Sequence, residues 1–115
     1  KLGQRYNAYL YLEQAIGLSP GEVAIWQDWA QILYENNNAV GAVTYLEEGI
    51  KLNPSKASLY YYCAAYCFDS GMNDKALTYL ENGLILDYDQ HSINLKLLPA
   101  LKEVEDVMEL IEQYR

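Results

Sequence analysis

Apolar residues recur along this chain at helical spacing. Trp26, Trp29, Ala30 and Leu33 follow the i, i+3, i+4, i+7 order of one helix face. Ala42, Val43, Leu46, Gly49 and Ile50 make a second such face. Polar, turn-forming stretches separate the faces. The pattern predicts seven short helices, over roughly 3–18, 21–35, 39–52, 55–69, 74–86, 89–98 and 103–114, and no strand. The punctuation agrees. Ser19-Pro20-Gly21-Glu22 offers a capping residue, Pro at the first helical position and Glu placed to close a capping box. Asn36-Asn37-Asn38 and Ser70-Gly71-Met72-Asn73 read as turns, and Asn53-Pro54 restarts the cycle. Asp87-x-x-Gln90 resembles a further capping box, and Pro99 breaks the chain.

The faces repeat at a fixed interval. YLEQAIGLSP at 11–20, YLEEGIKLNP at 45–54 and YLENGLILDY at 79–88 are evenly spaced along the chain. Ala8, Ala42 and Ala76 share a column at that period, as do Leu12, Leu46 and Leu80. So do Tyr11, Tyr45 and Tyr79, and Glu13, Glu47 and Glu81. Ala15, Gly49 and Gly83 form a column of small residues, and Gly3, Asn37 and Gly71 a turn column. So many columns in register mark structural repetition. Glycine costs up to about 1 kcal/mol against alanine inside a helix, so keeping it in register implies close helix packing. On that reading Ala42 and Ala76 are almost fully buried.

A helix-turn-helix unit of this period resembles the tetratricopeptide repeat, whose pattern is W-x2-L-G-x2-Y…A-x3-F…A-x4-P. Residues 21–54 match with Trp26, Ala30, Ala42, Leu46 and Pro54, with Trp29, Leu33 and Gly49 replacing Leu, Tyr and Ala. Residues 55–88 keep Gly71, Ala76, Leu80 and Gly83, with Tyr60, Cys63, Ala64 and Cys67 in the first helix and Tyr88 for the closing Pro. Residues 1–20 supply only a second half, with Gly3, Ala8, Leu12, Ala15 and Pro20. The resemblance implies an all-α, right-handed superhelical solenoid. It would consist of a half repeat at 1–20, repeats at 21–54 and 55–88, a further first-type helix at 89–98 and a capping helix at 99–115. Stacking explains the repetition, because one helix pair cannot bury its apolar stripe alone.

Composition narrows the function. The chain has 115 residues, a length that suits one domain, with half of them hydrophobic and a formal net charge of -8. So acidic a surface repels phosphate backbones, and nucleic acid is not an expected partner. No apolar run approaches the roughly 18–20 residues of a membrane span, and no signal peptide is visible. The chain starts at Lys1, so the natural N-terminus is expected to lie elsewhere; a cytoplasmic setting is the expectation, with targeting left open. Cys63 and Cys67 stand on adjacent turns in an apolar context and read as small core residues. His91 is the only histidine, so neither a metal site nor another cofactor is expected. No phosphate loop, zinc motif or triad occurs, and an enzyme is not expected.

Members of the family that the chain resembles serve as protein-interaction scaffolds, with first helices lining a concave groove. Carried over to residues off the packing stripe, the groove comprises Gln27, Asp28, Gln31, Tyr34 and Glu35, then Tyr61, Tyr62, Ala65, Phe68 and Asp69, then Leu95 and Lys96. Tyrosine suits such a surface, offering large area, few rotors and a polar tip. Tyr61 and Tyr62 are equally read as packing between first helices, and Asp28, Glu35 and Asp69 as solvated surface. With Lys96 the sole cation, the groove lacks the basic clamp that some family members use for acidic peptide termini. The expected ligand is a protein or peptide, apolar or basic rather than acidic.

The two ends differ. Val104, Val107, Met108, Ile111 and Tyr114 make one stripe of a tail whose other face is polar, as a cap requires, with a detachable docking helix as the alternative. At the start, the helix over 3–18 carries Tyr6, Tyr9, Leu10, Leu12 and Ile16 without a first-type partner. Further repeats, or a second copy of the chain in a homodimer, would cover it. Two functions are therefore open: a scaffold using its groove, and a structural or self-associating module pairing through that end.

Overall fold

The computed structural model describes residues 23–97 and 99–115. The helix expected over 3–18, its uncovered face, the half repeat and the cap at 19–22 lie outside them. Six α-helices occur among the described residues: α1 (Val23–Glu35), α2 (Ala39–Leu52), α3 (Ala57–Asp69), α4 (Asn73–Leu86), α5 (Ser92–Leu97) and α6 (Glu105–Gln113). Two 3₁₀ turns, Tyr88–His91 and Pro99–Glu103, flank α5, and the described residues contain no strand.

The α1–α2 and α3–α4 turns are built alike, one sequence period apart. Asn37 has φ 63° and Gly71 has φ 80°. Asn38 N donates to the Leu33 carbonyl and Met72 N to the Cys67 carbonyl, at 2.9 Å each. This six-to-one bond with a left-handed residue inside it is how helices commonly satisfy their last carbonyls. A side chain assists each time, Asn36 donating to the Ile32 carbonyl and Ser70 to that of Tyr66. Asn38 then accepts from Gly41 N and caps α2.

Other boundaries move. Pro54 sits in a turn, and α3 begins only at Ala57 behind Lys56, which makes no side-chain cap. The helix expected over 89–98 is a 3₁₀ turn followed by the six residues of α5. Asp87 and Gln90 do pair, at 2.6 Å, but side chain to side chain, without capping a helix. The tail helix starts at Glu105, because Pro99–Glu103 is itself a 3₁₀ turn.

Helix α1 packs on α2, α2 on α3 and α3 on α4; α3 also meets α1 and α5, and α4 meets α6. Two core clusters result. Trp26, Trp29, Leu33, Val43, Leu46, Leu59, Cys63, Cys67 and Ala76 belong to one. Tyr61, Ala64, Leu80, Leu84, Leu101, Val107 and Ile111 belong to the other. They lie on either side of α3, which buries nine of its 13 residues where α1 buries four of 13. Ala42 and Ala76 have no exposed surface. Both cysteines are buried and free.

Two similar tyrosine–glutamate hydrogen bonds tie α4 to its neighbours on either side. Tyr79 on α4 donates to Glu47 on α2, and Tyr114 past α6 donates to Glu81 on α4 at 2.6 Å. Lys75 adds an ion pair to Glu47 at 2.7 Å. Burial alone would raise the Glu47 pKa, but the Lys75 and Tyr79 donors outweigh it and hold the carboxyl below its ordinary value.

Two tests follow from this packing. Ala76→Leu forces three extra carbons into a closed contact and should cost about 1–3 kcal/mol, read as a lower melting temperature. Glu47 adds stability above its unfolded pKa of about 4.3, and that contribution disappears as pH falls through the lower folded value. Chemical denaturation of Glu47→Gln should therefore show a smaller stability loss than the wild type as pH falls below about 4.3.

Candidate partner-binding groove

Packing on both sides leaves α3 only a narrow open strip, in which Ser58, Tyr62 and Phe68 are half-buried and Asp69 is exposed. Opposite, α1 presents half-buried Gln27 and Tyr34 with exposed Asp28, Gln31 and Glu35. Ten of the twelve residues expected at the groove thus keep some exposure, counting Leu95 and Lys96 on α5.

Tyr61 and Ala65 do not belong to this surface. Tyr61 is fully buried, its ring lies on Gly83 and its hydroxyl donates to the Asp87 carbonyl at 2.8 Å. Ala65 is 1% exposed. Helical spacing placed both residues off the α1-like stripe, but among the described residues α3 meets α1, α2, α4 and α5 and is enclosed on most of its sides. Leu95 packs against the second core cluster, whereas Lys96 stands exposed one residue on.

Two bridges join α1 to α3. Gln27 Nε2 donates to Ser58 Oγ at 3.0 Å. Toward the other end, Tyr34 stacks on Tyr66 with ring centroids 4.7 Å apart, and Tyr62 meets Tyr66 edge-on at 6.4 Å. Tyr66 was not among the expected groove residues, yet it holds the other two rings. Its signal was its place four residues after Tyr62, one helical turn along the same side. Burial, then the neighbouring Tyr62 and Tyr34 hydroxyls and Glu35, push the Tyr66 pKa upward. Burial and the Asp69 carboxylate raise that of Tyr34. Both phenols therefore remain neutral hydrogen-bond donors at physiological pH.

Acid borders the rings. Glu35 accepts from Gln31 Nε2 at 3.1 Å, and Asp69 lies beside the Tyr34 hydroxyl. The arrangement can offer aromatic area, polar tips and negative charge to a partner. The described residues form no cluster of three or more His, Cys, Asp or Glu able to hold a metal ion, and no described helix is long and apolar enough to cross a membrane.

No protein-family model matches the chain, and no curated protein is significantly similar to it in sequence.

Burial divides the two adjacent tyrosines sharply enough to measure. Tyr61→Ala removes a core ring and should cost about 3–5 kcal/mol in urea unfolding. Tyr62→Ala trims the open strip and should cost about 1 kcal/mol. Equal losses would show that the strip has been drawn along the wrong side of α3.

Proposed function

We propose that this chain is a non-catalytic protein-interaction scaffold of tetratricopeptide type. In this reading its helix hairpins stack in a right-handed superhelix, and α1, α3 and α5 line the concave side. The observation that carries the reading is the Tyr34–Tyr66–Tyr62 ladder, which bridges two first-type helices and leaves Tyr34 and Tyr62 half-exposed. Rings held by their neighbours lose little further freedom on binding, and buried aromatics dominate the energetics of such contacts. The equivalence of the two turns, and of the two tyrosine–glutamate ties, supports the stacked arrangement.

The partner is a protein or peptide with apolar or basic side chains. Asp28, Glu35 and Asp69 are exposed along the strip, and Lys96 is the one cation among the twelve residues proposed for the groove. Like charges would slow encounter with an acidic ligand and weaken it, most at low salt.

Calorimetric titration with matched acidic, neutral and basic apolar peptides, at low and high salt, tests this. The basic and neutral peptides should bind more tightly than the acidic one. Tyr62→Ala combined with Phe68→Ala should abolish that binding while far-ultraviolet circular dichroism stays helical. Tight binding of the acidic peptide, unaffected by the double variant, would overturn the reading.

A further inference from the structure

Two cavities open beside the strip, and they repeat each other. One, of about 410 Å³, is lined by Tyr34, Glu35, Asn37, Ala39 and Asp69. The other, of about 330 Å³, is lined by Phe68, Asp69, Asn73, Leu77, Leu101 and Asp106 with two further residues. Tyr34 and Phe68, Glu35 and Asp69, and Ala39 and Asn73 are equivalent positions in the sequence period. Each cavity thus sets one aromatic ring beside two carboxylates. Glu35 and Asp69 serve the first, Asp69 and Asp106 the second, so Asp69 borders both.

These acids lack cations. The ion pairs among the described residues are Lys51–Glu48, Lys75–Glu47 and Arg115–Glu112, and none engages Glu35, Asp69 or Asp106. Glu35 and Asp69 are the final residues of α1 and α3, and neither helix has a basic residue in its last turn. A helix C-terminus favours positive charge there. The adjoining N-termini of α2 and α4 carry the opposite partial charge, so the carboxylates set the sign of each cavity.

Resting on the scaffold reading above, we infer that the two cavities are paired sockets for two cationic side chains of one extended, basic segment of a partner protein. Charge complementarity selects the cation, and the ring selects its type. A guanidinium stacks flat on an aromatic ring and reaches carboxylates with its fork, so arginine suits the sockets better than lysine. Repetition sets the spacing. Packed helices stand about 8–10 Å apart, and α1 touches α3 directly. A polyproline-type chain rises about 3.1 Å per residue with three residues per turn, so residues i and i+3 share a face about 9 Å apart. A β-strand presents same-face residues about 7 or 13 Å apart, which fits less well. The segment is therefore an Arg-x-x-Arg run in a left-handed extended conformation.

The test uses proline-rich twelve-residue peptides carrying two arginines three apart, two arginines two apart, or one arginine, titrated into the folded chain by calorimetry. The three-apart peptide should bind about tenfold tighter than the single-arginine peptide, with the margin shrinking as salt rises. Asp69→Asn should remove most of that margin, and Glu35→Gln and Asp106→Asn should each reduce the three-apart peptide toward the single-arginine affinity. All three positions are exposed, and circular dichroism verifies that the variants stay folded. Equal affinity for the three peptides, or an undiminished margin in Asp69→Asn, overturns the paired sockets. If a neutral leucine-rich peptide still binds and Tyr62→Ala still releases it, the scaffold reading survives that failure. Binding of none of these peptides overturns both.

Discussion

An aromatic ring lying on a glycine sets the geometry of each described hairpin. A methyl group at Gly49 would stand 3.0 Å from the Trp26 ring, and one at Gly83 would stand 3.1 Å from the Tyr61 ring. Glycine is a poor helix former, so both positions weaken their helices in isolation. What they permit is close approach of a large flat side chain over bare backbone, a contact rich in dispersion. The carbonyls of the same glycines accept the backbone bonds of the residues that cap their helices. Asn53 N donates to the Gly49 carbonyl and Asp87 N to the Gly83 carbonyl, at 2.8 Å each. Tyr61 then closes the second of these arrangements by donating to the Asp87 carbonyl. The ring–glycine contact therefore sets hairpin spacing, and in the second hairpin the same ring also binds the start of the next connection.

From that contact follows the enclosure of α3. With Tyr61 committed to α4, the opposite side of the helix, through Leu59, Cys63 and Cys67, belongs to the core shared with α1 and α2. The strip that remains is about one residue per turn wide. Ser58, Tyr62 and Phe68 stay partly open, although Gln27 of α1 binds Ser58 and the two rings pack against the core. A narrow open strip on a doubly packed helix is stiff, and Tyr66 stiffens it further by holding Tyr34 against Tyr62. A stiff surface of this kind would need little ordering on binding, which is what the proposed scaffold role requires.

Period and punctuation made much of this legible. The turn column appears as Asn37 and Gly71 with positive φ, and the alanine column as the closed contacts at Ala42 and Ala76. Tyr61 and Ala65 escaped because spacing along one helix shows which residues share a face, not how many helices surround it. The resemblance also aligned Tyr60 with Trp26, whereas Tyr61 is the ring that meets the glycine, one position further on. The Tyr114–Glu81 bond was hidden for a related reason. It reproduces the Tyr79–Glu47 tie with its partners one residue further apart in sequence, and so falls out of register with a strict period. Three-residue spacing gave no warning of the 3₁₀ turns either, since Asp87 and Gln90 satisfy each other without capping.

Acid is distributed between two jobs. Two glutamates, Glu47 on α2 and Glu81 on α4, are used internally, Glu47 by Lys75 and Tyr79, Glu81 by Tyr114. Asp28 and Glu35 on α1, Asp69 on α3, Asp74 on α4 and Asp106 on α6 are exposed and form no ion pair among the described residues. Three of these acids, Glu35, Asp69 and Asp106, border cavities that also hold the rings of Tyr34 or Phe68. Phenols and carboxylates in one strip repel anions and attract cations that can also lie flat on an aromatic surface. Glu47 and Glu81 are paired internally, whereas the carboxylates of Glu35, Asp69 and Asp106 form no ion pair among the described residues, so the acids that hold helices together are distinct from those beside the cavities.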